Sequence, residues 1–460
     1  RVSDNSRFSQ IFQRMDSQLF EFEHLVRGHH FDDAARLLNE IDEAYLSMWN
    51  HNKRIVAMRT RLIGNITDRQ IESINLGYLG KSHYDLGNFD DVLLYCQKAI
   101  RVFDDSFTHE KEAQWWMTIG RVYLNRGEYE KSLESYHKAL KASRELGNER
   151  DEGQALGLLG YPSYLLGKYR EAIEFYEQAL ELVRKANDRL WEGYYVGNTG
   201  LALSDYGQFE QALNYHKESM KIGEETGNKR WQAIILGDLG KTYRRLGNYA
   251  DAKNQHSEGV AISQSLGLKP NEGRCLAELG RDCLALPNYE QALQHLAEAL
   301  AIAEEIQNPV DKNYSLAFIA VAHLLSGYSQ IALQYIEKQE DISNLEKHYY
   351  ELIHGIILLD MGEMKNAKIT FEKSIQLARD LITKTPDLFS PFYTIALANA
   401  GLALVSSDQQ QAQVLLRNAK EALSDAKKLC AAKGIIEERR ALLEKIRERD
   451  TNDFLYLIKL

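Results

Sequence analysis

Proline is scarce: 6 residues in 460, against a usual share of about 5%. That excludes proline-rich linkers and fits long uninterrupted helices. Cysteine is scarce too. Cys96, Cys275, Cys283 and Cys430 lie far apart and form no CxxC pair, which excludes a disulfide framework. They read as buried small hydrophobes in a reducing compartment, so a cytoplasmic location is expected. The longest apolar stretches, such as Ile395 to Val405, fall short of the ~18 residues of a membrane span. No signal-peptide pattern opens the sequence. It begins with Arg1 rather than Met, which fits a trimmed piece of something larger. Positive charge is in deficit, 56 Lys and Arg against 66 Asp and Glu, for a net −10. Such a chain is a poor general binder of phosphate backbones, so neither a nucleic acid nor a membrane is an expected partner. What remains is an ordinary soluble balance, 44% hydrophobic and 27% charged, with enough apolar material for a sizeable core.

The sequence repeats itself. Gly80, Gly120, Gly160, Gly200, Gly240 and Gly280 recur at one constant interval. Seven residues after each comes Gly87, Gly127, Gly167, Gly207 and Gly247, with Pro287 in the sixth place. Two further on are aromatics, Phe89, Tyr129, Tyr169, Phe209, Tyr249 and Tyr289. Small residues follow in register, among them Ala172, Ala212, Ala252 and Ala292. The pattern predicts an all-α chain of helical hairpins. The first glycine falls inside helix A, one turn after Leu76, Trp116, Leu156, Val196, Leu236 and Leu276. A glycine there costs about 1 kcal/mol of helix propensity, tolerable where the neighbouring helix must approach closely. The second glycine suits a turn with positive φ.

The segment LGLLGYPSYLLGKYREAIEFYEQAL, Leu156 to Leu180, resembles a tetratricopeptide repeat. The usual unit has about 34 residues. The longer unit found here, one period running from Gly160 to Gly200, is similar to the repeats of kinesin light chains, of the Pins spindle-orientation adaptors and of bacterial STAND-class signalling proteins. The resemblance implies a right-handed superhelical solenoid with helix A lining the inner groove. Residues 67–309 hold six regular units. Residues 310–434 hold three divergent hairpins, marked by Gly327 with Ala332, by Gly362 with Ala367, and by Ala412 with Ala419. Residues 1–66 read as a degenerate hairpin around Phe31, Ala34 and Leu38 with a connecting helix. Residues 435–460 read as a charged capping helix and an apolar tail, Phe454 to Ile458, expected to pack back on the last hairpin.

Catalytic patterns are weak. Gly237 to Thr242 (GDLGKT) resembles the end of a phosphate-binding loop, but a true one needs glycine at position 235, which is Ile235. The histidines include the series His137, His216, His256 and His295 without a ligand pair spaced for a metal. The expectation is no enzyme, no cofactor and no metal.

The groove offers more. Offsets of −6, −3, +1 and +4 from the first glycine share one face of helix A. On that face Tyr161, Tyr164 and Tyr194 are expected to form an aromatic platform. Lys241, Arg244, Arg245, Arg274 and Arg281 are expected to form a cationic patch suited to acidic side chains, a terminal carboxylate or phosphate. Arg121 lies on the same face of an earlier hairpin. The alternative is that these arginines pair with Asp238 and Glu278 of their own array. Asn198 resembles the asparagine that clamps peptide backbone in related arrays, although the other units carry Tyr78, Thr118, Leu158, Asp238 and Glu278 there.

The front of the chain, GHHFDDAARLLNEI, then TRLIGNITD, then LGYLGKSHYDLGNFDDVLLYC, resembles the junction after the NTPase of bacterial STAND proteins. That implies a ligand-sensing C-terminal array that binds a protein or peptide trigger, with an NTPase and effector in the same full-length protein. Two other readings stay open: a stand-alone adaptor of the Pins or kinesin-light-chain kind, and a peptide-pheromone receptor.

Overall fold

The computed structural model describes residues 2–42, 51–102, 111–340, 345–451 and 453–460, with the side chains of residues 2–14 and 457 outside the description. These residues form 22 α-helices and a short 3-10 helix, without a strand among them. None of the helices is long and apolar enough to cross a membrane.

The chain divides into two compact units, residues 1–165 and 166–460. The first contains α1 (Val2–Arg27), α2 (Phe31–Ile41), α3 (Asn52–Thr60), α4 (Arg69–Asp85), α5 (Phe89–Val102), α6 (Glu112–Asn125), α7 (Tyr129–Glu145) and α8 (Glu149–Leu165). Helix α1 pairs with α2, α4 with α5, and α6 with α7. The connecting helix α3 is locked by Arg59, which is fully buried and donates to Asp42 at 2.6 Å and to Asn39 at 2.9 Å. A charge inside a core needs such a partner. Pro162 falls inside α8, near its end, so the scarcity of proline does not leave every helix free of it.

The second unit contains α9 (Tyr169–Lys185), α10 (Arg189–Tyr206), α11 (Phe209–Glu225), α12 (Lys229–Leu246), α13 (Tyr249–Leu266), α14 (Lys269–Ala285), α15 (Tyr289–Glu305), α16 (Pro309–Leu325), α17 (Ser329–Ile336), α18 (Lys347–Asp360), α19 (Met364–Lys384), α20 (Phe389–Val405), α21 (Gln409–Leu429) and α22 (Lys433–Arg447), then the 3-10 turn Phe454–Leu457. From α10 to α21 consecutive helices pair as hairpins and each hairpin packs on the next. Starts are fixed by side-chain caps: Asp188 accepts from the Trp191 amide, Asn228 from Trp231, Asn288 from Gln291 and Asp408 from Gln410. Stops at Gly207 and Gly247 have φ of 98° and 83°, left-handed backbone that a side chain resists.

The glycines inside the first helices have one shared reason. A Cβ on Gly80 would lie 2.5 Å from Cys96 Sγ, on Gly120 2.4 Å from the Tyr136 ring, on Gly240 2.4 Å from the His256 ring and on Gly280 2.6 Å from Leu296. In each case the intruding residue stands at the same offset, on the second helix of the hairpin. Gly355 and Phe371 repeat the relation at 2.6 Å in a divergent hairpin. Glycine therefore makes a socket for one side chain of the second helix, which ranges from Cys96 to the Tyr136 and Phe371 rings.

The second unit turns back on itself. Arg170 pairs with Asp387, Gly167 packs against Leu388 and Thr385, and Gly207 against Phe389 and Cys430.

Candidate functional site

The first helices of the hairpins, α12, α14, α18 and α20, all contact α22. From the sequence this helix is expected to cap the array; its neighbours are the first helix of the last hairpin, α20, and the first helices of three earlier ones. A three-residue link, Cys430 to Ala432, brings the chain from α21 to α22, anchored by the Tyr393 hydroxyl, which donates to the Cys430 carbonyl at 2.6 Å. Gly434 then lies directly on the end of α12: a Cβ there would fall 1.9 Å from the Arg244 carbonyl oxygen and 2.9 Å from that of Arg245. The amino end of one helix thus meets the carbonyl end of another, a favourable dipole arrangement. Along the same helix Ile435, Leu442, Leu443 and Ile446 are buried in the apolar core of the unit.

Between α22 and the hairpins runs a charged seam. Glu438 accepts from Arg281 at 2.8 Å and from the Tyr349 hydroxyl at 3.0 Å, and lies 3.5 Å from Arg244. Arg439 stacks over the Tyr349 ring at 4.0 Å and Arg281 over Phe318 at 4.1 Å. The Tyr249 hydroxyl donates to Glu437. Burial opposes ionisation of Glu438, but Arg281, Arg439 and Arg244 outweigh it and hold the carboxyl down at about 2. The same contest, won by Arg244 and Arg281, keeps Glu278 well below the usual carboxylate range. Asp282 goes the other way. Burial pushes it up in spite of His256 at 2.6 Å and Arg244 at 3.4 Å.

The expected cationic patch is therefore brought together but already paired. Arg244, 5% exposed, bonds Glu278. Arg281, 14% exposed, serves Glu438 and the Tyr314 hydroxyl. Lys241 pairs with Asp205 at 3.0 Å, and Arg245 pairs with the same carboxylate. Only Arg274 stays open, with a side chain 63% exposed and Asp311 3.9 Å away. Of the two acids expected to neutralise the patch, Glu278 does so. Asp238 forms no ion pair among the described residues; burial pushes its carboxyl up to about 7 against the pull of Lys241. Asn198 is half-buried on α10 and its side chain makes no hydrogen bond among the described residues. Tyr194 does not project as a platform: Trp231 packs edge-on at 4.2 Å and Trp191 lies at 5.8 Å. In the first unit Tyr161 and Tyr164 stack with centroids 6.2 Å apart, and Tyr161 is 41% exposed. Arg121 there is half-buried on α6, near Asp85, whose carboxyl burial pushes up.

Family models described as tetratricopeptide repeat match residues 111–185, 163–225, 195–265 and 231–305, and a further one matches 352–381. The chain is a tetratricopeptide-repeat array. Among solved structures, a Rap protein complexed with Competence and Sporulation Factor is 13% identical, with a TM-score of 0.53 over 81% of this chain and 99% of that one. The quorum sensor NprR from B. thuringiensis in its apo form is 15% identical, with a TM-score of 0.54 over 80% and 99%; NprR in complex with its cognate peptide NprX gives 14%, 0.53, 79% and 98%. A STAND protein with a tetratricopeptide repeat sensor from Pyrococcus horikoshii is 16% identical, with a TM-score of 0.49 over 77% of this chain and 55% of its own. No curated protein matches the sequence. The likenesses to the Rap protein and to NprR give the fold, an α-helical solenoid.

Sequence reasoning missed two groups in this repeat array. Asp205 is the anion for both Lys241 and Arg245, and a signal for it exists. Lys241 stands 36 residues from it, and Arg245 one full repeat. Arg244 with Glu278 and Tyr314 with Glu278 obey the same rule at 34 and 36. Glu438 lies 157 residues from Arg281, and no periodicity leads to it.

Proposed function

We infer that the array recognises a protein or peptide segment on the face formed by its first helices, as the ligand-sensing part of a STAND-type signalling or defence NTPase. The observation that carries the recognition reading is α22 itself: the first helices of the second unit accept a polypeptide helix and meet its Glu438 carboxylate with Arg244, Arg281 and Tyr349. The STAND context is supported by the resemblance of the front of the chain to the junction that follows such an NTPase. In that setting the trigger fills the array and releases the NTPase upstream. In the second unit the residues offered to a trigger are Asn198, Asp238 and Arg274; in the first unit, taken by itself, Arg121 and the stacked pair Tyr161 and Tyr164 are offered.

A second reading, a receptor for a short peptide, is favoured by the fold match to NprR held with its cognate peptide. One experiment separates the readings. The purified chain and its Asn198→Ala/Arg274→Glu variant are used to capture partners from host extract. A protein recovered by the parent and lost by the variant, with melting unchanged, supports the sensor. Recovery of a short peptide alone, also lost by the variant, supports the receptor. Equal recovery by parent and variant refutes recognition through these residues.

A further inference from the structure

Three features of α22 are unusual for a permanent core helix. Its seam is charged: Arg244, Glu278, Arg281, Glu438 and Arg439 are all withdrawn from water along it. Apolar residues of similar volume would stabilise such a seam as well or better, whereas charged pairs fix register. Interfaces that open are more polar than obligate ones. Second, the helix is joined by only three residues to α21, so it can leave the face without unravelling the hairpins and remains at high local concentration. Third, its contacts come from four separate hairpins, each of which also has its own partner helix.

We propose that α22 is a displaceable intrachain ligand, and that the face of α12, α14, α18 and α20 is a helix-binding site whose external partner is an amphipathic helix bearing one carboxylate between aliphatic positions. The pattern it fits is written in α22: Ile435, Glu438, Leu442 and Ile446 lie at intervals of 3, 4 and 4 on one side. A carboxylate at the second position meets Arg281, Arg244 and Tyr349; aliphatic side chains at the others enter the core that Leu442 and Ile446 now fill. The charge that the face selects is local: Glu438 lies 2.8 Å from Arg281 and 3.5 Å from Arg244 and accepts from the Tyr349 hydroxyl, so an occupant needs a carboxylate at that position. This rests on reading the first helices as a recognition surface, and its test needs no host partner, so the two can fail separately.

Gly434→Ala opens the site without touching the face, because the added Cβ collides with the Arg244 carbonyl. A fluorescent peptide of residues 431–449 is titrated into the full chain and into this variant. The peptide is expected to bind the variant at least tenfold more tightly than the parent, and its Glu438→Gln version to lose at least tenfold. Should the variant fail to fold, hydrogen exchange of the parent decides. The amides of Ile436 to Arg447 are expected to exchange at least tenfold faster than those of Ile235 to Leu246 in α12. Equal binding to variant and parent, or α22 exchanging no faster than α12, overturns the proposal.

Discussion

The pairing of Arg244 changes what a charge reversal there can report. Its guanidinium is 5% exposed and lies 2.5 Å from Glu278, 3.4 Å from Asp282 and 3.5 Å from Glu438. Replacing it by Met removes the partner of several buried carboxylates at once. Leaving a buried charge unpaired costs about 3–5 kcal/mol. At roughly 2 °C of melting temperature per kcal/mol for a large domain, Arg244→Met is expected to lower Tm by about 6 °C or more. Arg244→Glu is expected to lower it further, since the reversed charge faces three carboxylates. Arg274→Glu is the control. Its side chain is 63% exposed with the nearest carboxylate 3.9 Å away, and exposed pairs contribute about 0–1 kcal/mol, so Tm is expected to move by no more than about 2 °C. Calorimetric melts of the full chain make the measurement. A double-mutant cycle of Arg244→Met with Glu438→Gln is expected to give a coupling of about 1 kcal/mol or more, in the range of contacting residues. If Arg244→Met melts within about 2 °C of the parent, the charged seam carries no stability and the reasoning fails.

Three further outcomes follow from single sites. Gly240→Ala places a Cβ 2.4 Å from a His256 ring that is held by Asp282 and the Gly237 carbonyl; overpacking of this kind costs about 1–3 kcal/mol, read as a lower urea midpoint and recovered in part by His256→Ala. His216 is held down to about 3 by burial, so its contribution to stability is complete above about 6.5 and is lost as pH falls toward 3. His216→Leu, the residue type that hairpin six carries at Leu296, is expected to stabilise the chain more at pH 5 than at pH 8 in urea melts, and an equal gain at both would refute the burial argument. Asp238 is displaced the opposite way, up to about 7, so the stability linked to its proton is present below about 4 and lost as pH rises through 7. Asp238→Asn should therefore raise the urea midpoint clearly at pH 8 and hardly at all at pH 4, each unit of displacement being about 1.4 kcal/mol.

The hairpins were legible because their cause is local and repeated. Socket glycines, turn glycines and capping side chains recur through the regular repeats, with Pro287 in place of the last turn glycine, and each acts on atoms within one hairpin. The sequence does not say directly what fills the socket; Cys96, Tyr136, His216, His256, Leu296 and Phe371 share only their position. The face was legible in part. Offsets from the glycine put Lys241, Arg244, Arg245 and Arg281 together, as the structure does, but they carry no sign of how many anions arrive from elsewhere. Asp205 arrives from the neighbouring repeat and leaves a trace at a separation close to one period. Tyr194 was misjudged for a related reason: Trp231, from the next repeat, covers its ring.

Glu438 is the instructive failure. A charged helix after the last repeat resembles a cap, because a solenoid end needs a polar cover. The feature that sends α22 to the first helices instead is the conjunction of Gly434 with Ile435, Glu438, Leu442 and Ile446. A glycine at the second helical position adds no contact of its own to the helix start. It becomes intelligible only against the Arg244 carbonyl 1.9 Å from where a Cβ would stand. The same glycine logic that builds the hairpins, a missing side chain where another helix must come close, therefore also seats the start of α22 against the end of α12.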